Sequence, residues 1–134
     1  MIFLDTNILV YSIDSRDGRK QRIARGIVFA AEGSPSHLMS AQVVNEFSSV
    51  AIRKLCQPVD QVLALVKQFE AIRTVPVLLE WTVRALEIMD QYGIQFYDAL
   101  IVAAAEANGC DEILTEDLND GQEYCGIKAV NPFK

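Results

Sequence analysis

The chain alternates short apolar runs with longer segments in which apolar residues recur every three or four positions. A short apolar run is typical of a buried strand, whereas the longer spacing is typical of a helix with one buried face. Because Pro76 has no backbone N–H to donate, the run that contains it is predicted to lie at a sheet edge. The predicted strands are MIFL (1–4), HLMS (37–40), TVPVL (74–78), EILT (112–115) and IKAV (127–130).

Helices are predicted between most of these strands. Gly33 and Gly93 are stop signals for two of them, and Ser40 is a suitable N-cap for a third. The helix DALIVAAAEAN (98–108) is apolar on nearly every side, which predicts that it is buried. The predicted helices cover residues 19–32, the segment between Ser40 and Pro58, and residues 60–72, 81–92 and 98–108.

Strands that alternate with helices predict an α/β fold with a central parallel sheet of about five strands and helices on both faces. The length of 134 residues favours one domain, spanning residues 1–134. In such sheets, ligands bind beyond the carboxyl ends of the strands. Asp5 directly follows the first predicted strand, so a binding site is expected there.

The net charge of −6 taken alone disfavours a nucleic-acid partner, because polyanions repel acidic surfaces. The charge is uneven, however. The segment 111–123 holds six acids and no Lys or Arg, which is compatible with an acidic pocket or with a solvated face. Five of the twelve basic residues form a basic window, which is either a basic shoulder beside that pocket or a second solvated face: Arg16, Arg19, Lys20, Arg22 and Arg25.

The three cysteines are odd in number and lack CxxC spacing. This pattern argues against a disulfide framework or a thiolate zinc site and favours a cytoplasmic location. The apolar start of the chain has no preceding basic region, so no signal peptide is expected. No apolar run approaches the roughly 20 residues of a membrane span.

Four carboxylates occupy places where a site would form. Asp5 and Asp117 follow predicted strands, while Glu46 and Asp98 lie near the starts of predicted helices. Each of these carboxylates could instead have an ordinary structural role. Asp5 and Asp98 are acceptable N-caps, Glu46 suits the first turns of a helix, and Asp117 suits a solvated loop.

If the four acids converge at one sheet edge, their charges repel one another unless a cation joins them. Oxygen ligands alone suit Mg²⁺ or Mn²⁺, which activate water and stabilise charge on a phosphodiester. Other chemistries fit poorly. His37 is the only histidine, there is no P-loop or GxGxxG motif, and Asn7 replaces the acid that a phosphoaspartyl enzyme needs.

Four segments resemble the PIN domain, and in particular the small VapC-type toxins of bacterial toxin–antitoxin pairs. They occur in the family's order and span nearly the whole chain: MIFLDTNILVY (1–11), NEF (45–47), YDALIVAAAEANG (97–109) and ILTEDLNDG (113–121). The resemblance implies an endoribonuclease that uses one or two Mg²⁺ or Mn²⁺ ions to hydrolyse RNA with a metal-activated water.

The resemblance also implies roles for individual residues. The catalytic and metal-binding set is Asp5, Glu46, Asp98 and Asp117, with Glu46 directed to a second ion or its waters. The supporting residues, which orient carboxylates or water, are Thr6, Asn7, Thr115 and, as in some relatives, Asp120. The basic window would hold flanking phosphates.

A VapC-type toxin is further expected to form a homodimer and to bind an antitoxin, which we expect to place an Arg or Lys in the acidic pocket. Most of the nearby apolar residues are expected in the core, but they are also candidates for the antitoxin's docking groove: Ile8, Leu9, Val10, Ile13, Val43, Val44 and Phe47. Two alternatives stay open, a PIN-like binding module with little or no nuclease activity and a metal-dependent DNA nuclease.

Overall fold

The structure is a computed structural model and describes residues 1–134. Helices and strands alternate along most of the chain, as the sequence predicts. The elements are β1 (Ile2–Leu4), α1 (Thr6–Ile13), α2 (Gly18–Ala31), β2 (His37–Ser40), α3 (Ala41–Arg53), α4 (Val59–Phe69), β3 (Thr74–Val75), α5 (Leu79–Tyr92), α6 (Phe96–Ala107), β4 (Glu112–Leu114), β5 (Glu123–Tyr124) and β6 (Ile127–Val130).

One six-stranded sheet has the order β3-β2-β1-β4-β6-β5. β1 lies inside it, with β2 and β4 parallel on either side and Phe3 in register with Leu38 and Ile113. Only β5 runs antiparallel, against β6. The predicted α/β class with a mainly parallel sheet is confirmed, and the sheet has one strand more than the five predicted.

The additional strand, β5, belongs to a tight hairpin. Tyr124 pairs with Ile127, and the two turn residues between them, Cys125 and Gly126, have φ angles of 54° and 80°. Two successive left-handed residues give the turn a twist that matches that of the flanking strands. A two-residue strand is too short to show an alternating pattern, which is why the sequence pattern missed it.

Helix α1 was not predicted, although its first residue directly follows Asp5. The Asp5 side chain accepts a hydrogen bond from the Thr6 N–H at 2.6 Å and occupies the N-cap position. The helix packs against α2 and α3, so it has little polar surface to reveal its period. Ile8 and Leu9 are fully buried within it.

The burial of these side chains removes four of the seven candidate residues from the expected docking groove of the antitoxin. Ile8, Leu9, Val43 and Phe47 have no exposed surface, so they belong to the core and line no docking surface. Val10, Ile13 and Val44 are partly buried and pack against the same core.

Several element boundaries follow from local chemistry. β3 covers only Thr74 and Val75 at the sheet edge, because Pro76 ends the pairing. Gly93, at φ 68°, ends α5 as predicted, and its N–H donates to the Met89 carbonyl. Ser40 occupies the N-cap position of α3, but its buried hydroxyl makes no capping bond.

Helix α6 is buried, as predicted from its apolar sequence, with residues 99–105 each at most 6% exposed. It begins at Phe96, so Asp98 lies in its first turn and is not its N-cap. The three cysteines are free. None of the helices has both the length and the apolar character needed to cross a membrane.

Replacing Phe47 by Ala should lower the free energy of unfolding by about 3–5 kcal/mol, because it leaves a cavity in a packed core. Phe47 is fully buried and meets the Phe69 ring edge-on, with 5.0 Å between centroids. Phe29 is 80% exposed, so Phe29→Ala is the matched control and should change stability by less than about 0.5 kcal/mol. Urea denaturation of both variants measures the difference, and equal losses would contradict this description of the core.

Candidate metal centre

Three carboxylates converge at the carboxyl ends of β1 and β4. Asp5 directly follows β1, Asp117 lies three residues after β4, and Asp98 projects from the first turn of α6. One carboxylate oxygen from each of the three residues lies within 4.8 Å of the other two. The edge position predicted from the parallel topology therefore brings three of the four expected acids together.

Asp5 is the most buried of the three, at 4% exposure. Its Oδ1 accepts the Thr6 N–H at 2.6 Å, and its Oδ2 accepts the Thr115 hydroxyl at 2.7 Å. Asp98 is half-buried and Asp117 is exposed. The cluster thus reaches from the end of a buried strand to solvent.

Thr115 and Asn7 connect the carboxylates. The Thr115 hydroxyl donates to Asp5 and accepts from the Asp117 N–H at 3.0 Å and from Asn7 Nδ2 at 3.3 Å. Asn7 Nδ2 also lies 3.2 Å from Asp117 Oδ2. Both residues therefore have the contacts needed to orient Asp5 and Asp117.

Glu46 lies beside this cluster and is held by other contacts. The Thr6 hydroxyl donates to Glu46 Oε2 at 2.9 Å, and Gln42 Nε2 donates to Glu46 Oε1 at 2.8 Å. Gln42 also donates to the Tyr97 carbonyl at 3.1 Å. Sequence reasoning missed Gln42, although its position four residues before Glu46 on a helix was an available signal.

The charges of the cluster are not compensated by basic side chains. No ion pair of the structure includes Asp5, Glu46, Asp98 or Asp117. Burial raises the pKa of Asp5 to about 7, although hydrogen bonds from Thr115 and Thr6 favour its ionised form. Burial, followed by the charges of Asp117 and Glu46, raises the pKa of Asp98 to about 6.

The donor set fits a hard divalent cation. Mg²⁺ binds oxygen at about 2.1 Å, so its ligand oxygens are about 3 Å apart when adjacent and about 4.2 Å apart when opposite. The three oxygens of the cluster, within 4.8 Å of one another, lie near this range. Two buried oxygens near the carboxylates, Asn7 Oδ1 and Gln42 Oε1, have no hydrogen-bond partner. Buried polar atoms without a partner are uncommon in folded proteins, and these two belong to residues that contact the carboxylates.

Asp120 does not join the cluster. Its Oδ1 accepts the Asn131 N–H at 2.8 Å, and its Oδ2 lies 3.6 Å from Lys134 Nζ. The backbone hydrogen bond from Asn131 lowers the pKa of Asp120 below its ordinary value. The expected supporting role is corrected, because Asp120 fastens the C-terminal segment to the loop after β4.

The basic window is not one helical face, because α2 begins at Gly18 and Arg16 precedes it. Arg16 pairs with Asp14 through two hydrogen bonds of 2.9 and 2.8 Å. Arg16 therefore lies outside the helix that carries the other four members of the window.

Three further members of the window have intramolecular partners. Lys20 Nζ lies 3.0 Å from Glu116 Oε2 and 3.2 Å from the Tyr11 hydroxyl, which itself donates to Glu116 at 2.6 Å. Arg19 donates to the Phe133 carbonyl, and Arg25 donates to the Ser12 carbonyl. The contact of Lys20 with Glu116 braces the loop that carries Asp117. Arg22 is the one member of the window without a partner.

The family model described as the PIN domain matches residues 2–120, which is most of the chain. The chain belongs to the PIN domain family. The acidic cluster lies within the matched region.

Solved structures with this fold include toxins and toxin–antitoxin complexes. Mycobacterium tuberculosis VapC20, a sarcin–ricin loop cleaving toxin, has 20% identity and a TM-score of 0.71, with 89% of this PIN domain and 92% of that chain covered. A toxin–antitoxin complex from Klebsiella pneumoniae has 23% identity and a TM-score of 0.69, with 98% of both chains covered.

VapBC2 from Rickettsia felis, bound to a DNA fragment from its promoter, has 19% identity and a TM-score of 0.68. The match covers 96% of this chain and 97% of that chain. At these levels of sequence identity, the structural similarity shows that the proteins share a fold. No curated protein sequence matches the chain significantly.

Without a metal ion, the free energy of unfolding of this PIN domain should fall as pH rises from about 4 to about 7. The pKa values of Asp5 and Asp98, about 7 and about 6, lie above the ordinary value in the unfolded chain. The folded state consequently binds more protons in this range and is stabilised by acid, by on the order of 2–4 kcal/mol. Urea denaturation in the presence of a chelator measures the dependence.

Asp5→Asn should flatten this pH dependence because it removes the most strongly shifted group. Asp120→Asn is the matched control and should retain the dependence, since Asp120 lies outside the cluster. A wild-type curve that is level between these pH values would contradict the raised pKa values of Asp5 and Asp98.

Proposed function

We propose that this PIN domain is a Mg²⁺- or Mn²⁺-dependent endoribonuclease that acts as the toxin of a toxin–antitoxin pair. The observation that carries the proposal is the set of three carboxylate oxygens within 4.8 Å of one another, none of them paired with a Lys or Arg. Unpaired like charges at this distance are unfavourable unless a cation binds between them. Membership of the PIN domain family supports the same chemistry.

The structural relatives support RNA as the substrate and an antitoxin as the partner. VapC20 is described as cleaving the sarcin–ricin loop, and other relatives are toxin–antitoxin complexes. The identity of the RNA does not follow from these likenesses, because only the fold is shared at 19–23% identity.

Asp5, Asp98 and Asp117 would hold the first ion, and Glu46 would hold a second ion or its waters. When bound, the ion supplies a water of lowered pKa and positive charge for the phosphate that becomes more negative during hydrolysis. The protein orients its ligands before an ion binds. For Asp5, the orienting contact is the hydrogen bond from the Thr115 hydroxyl. Because burial raises the pKa of Asp5 and Asp98, ion binding near neutral pH would release protons from these two carboxyl groups.

The remaining polar contacts keep the ligand set in place. Asn7 bridges from Thr115 to Asp117, while Gln42 and Thr6 each donate to one oxygen of Glu46. Outer hydrogen bonds of this kind fix the direction of a ligating carboxylate and raise its affinity for metal.

The central test combines metal binding with cleavage. Mn²⁺ should raise the melting temperature of a chelator-treated sample, because it binds the folded state and not the unfolded chain. At 100 times the dissociation constant the gain is about 2.7 kcal/mol. Asp5→Asn should lose most of this gain and cleave RNA at least about 100-fold more slowly, while keeping the fold by circular dichroism.

Asp120→Asn controls for the loss of one acid, and it should keep both the Mn²⁺ response and the cleavage rate. Full activity of Asp5→Asn, after contaminating nuclease is excluded, would remove Asp5 from the catalytic set. Cleavage of single-stranded DNA in preference to RNA would favour the DNA nuclease. A Mn²⁺ response without cleavage of either substrate would favour the binding module.

The partners we propose are a cognate antitoxin and a second copy of the chain. Helix α5 exposes an apolar stripe at i, i+4 and i+7, formed by Leu79, Val83 and Leu86, which are 81%, 58% and 57% exposed. A stripe of this kind suits a homodimer paired through helix faces. The uncompensated acidic cluster suits an antitoxin that inserts an Arg, whose planar fork pairs with two carboxylate oxygens.

If the antitoxin inhibits in this way, its binding should compete with Mn²⁺. Titration of the small protein encoded beside this gene, at low and saturating Mn²⁺, should show at least about tenfold weaker affinity at the higher concentration, a difference of about 1.4 kcal/mol. Affinity that is indifferent to Mn²⁺, together with full nuclease activity in the complex, would rule out inhibition through the acidic cluster.

A further inference from the structure

The basic residues divide evenly into those with intramolecular partners and those without. Six of the twelve contact a carboxylate or a backbone carbonyl: Arg16, Arg19, Lys20, Arg25, Arg84 and Lys134. The other six have no such partner: Arg22, Arg53, Lys54, Lys67, Arg73 and Lys128. Arg19 and Arg25 keep their net charge, because a backbone carbonyl is neutral, but some of their donors are in use. The second group has both its charge and all its donors available for an external anion.

Lys54 is the one residue of this second group that lines the groove beside the acidic cluster. The groove has a volume of about 370 Å³, and its charged lining comprises Arg16, Lys54 and four carboxylates. Asp14 and Glu116 are paired with Arg16 and Lys20, whereas Glu46 and Asp117 belong to the proposed metal site. A further hollow of about 180 Å³ shares Arg16 and Lys54 and continues to Gln57. We call these two continuous concavities the Lys54 groove.

Arg16 is held in this groove in a fixed orientation. Its Nε and Nη2 donate to the buried Asp14 carboxylate, whereas its Nη1 makes no hydrogen bond and its side chain is 74% exposed. Because Asp14 balances the charge of Arg16, this guanidinium offers directed hydrogen bonds and little net charge. Lys54 is exposed and unpaired, so it supplies the net positive charge.

Within the groove, Lys54 lies apart from the position of a metal-bound phosphate. Lys54 directly follows α3 and lies eight residues after Glu46, which is about 12 Å along the helix. A phosphate held by Lys54 and a phosphate at the carboxylate cluster would therefore occupy different positions along the groove. A chain of linked phosphates can occupy both places at once.

The opposite side of the cluster differs in its chemistry. There a concavity of about 500 Å³ is lined by Gln95, Asp98, Asn119 and Tyr124, with no Lys or Arg among its lining residues. Backbone phosphates are held by cations, whereas amide and aromatic side chains suit bases and sugars. The two sides of the cluster are therefore not equivalent for a polynucleotide.

We propose that the Lys54 groove is the subsite for a phosphate that flanks the scissile one, on one side only, in a single-stranded segment of the substrate. Lys54 supplies the positive charge, and Arg16 Nη1 donates a hydrogen bond to the phosphate. A groove of this volume accommodates one strand. The assignment rests on the proposed nuclease function. It keeps Arg16 from the basic window and leaves out Arg19, Lys20 and Arg25, which have partners within the protein.

The experiment measures cleavage of a short fluorophore- and quencher-labelled oligoribonucleotide of mixed sequence, at saturating Mn²⁺ and several salt concentrations. Lys54→Ala should raise KM by roughly fivefold, leave kcat unchanged, and reduce the salt slope of kcat/KM by about 1, as expected for one lost phosphate contact. Lys67→Ala is the matched control, since Lys67 is also exposed and unpaired near a helix C-terminus but lies outside the groove.

Equal KM values and salt slopes for Lys54→Ala and Lys67→Ala would overturn the assignment. So would loss of the Mn²⁺-dependent rise in melting temperature in Lys54→Ala, because Lys54 would then act through the metal centre. An unchanged KM with weaker antitoxin binding would assign the groove to the protein partner. Failure of the wild-type protein to cleave or bind RNA would instead refute the nuclease function, and the subsite with it.

Discussion

The hydrogen bond from the Thr115 hydroxyl to Asp5 joins the ends of the two central strands, and the rest of the site depends on it. The Asp5 N–H also donates to the Leu114 carbonyl, so backbone and side chain together fix the distance between these ends. A buried carboxylate is unfavourable unless hydrogen bonds compensate for its lost hydration. The bonds from Thr115 and Thr6 provide part of that compensation, and the raised pKa of Asp5 shows that the compensation is incomplete.

The unfavourable energy of the cluster is tolerated because the surrounding elements are firmly packed. Thirty-two buried hydrophobic residues form one core, and α6 contributes an unbroken buried run from Ala99 to Ala105 directly after Asp98. Asp98, whose carboxyl group is close to the charges of Asp117 and Glu46, is thus attached to a buried helix. A fold of this kind keeps charged ligands close together in the absence of the cation that would neutralise them.

The sequence predicted the site better than it predicted some of the elements, for a physical reason. In a parallel sheet, strand ends converge at one edge, so Asp5 and Asp117 were placed together once their strands were recognised. Helix α1 was missed because its residues face buried neighbours on several sides and show no polar face. The side chain that each basic residue contacts within the protein was not predictable from the sequence either. Lys20 contacts Glu116, 96 residues away, through tertiary packing that no local pattern records.

The net charge of −6 imposes a constraint on a protein proposed to act on RNA. Four of its twelve basic residues are paired with carboxylates, and the remaining eight act against a total of 18 acids. The protein therefore has few cations that can release counterions from a polyanion. Binding that depends on few phosphate contacts varies weakly with salt and gives little non-specific affinity. Discrimination among RNAs must then come from the shape of the strand that reaches the metal centre and from contacts with its bases. An acidic surface thereby favours selectivity over affinity, because it repels every polyanion that cannot present a phosphate to the bound ion.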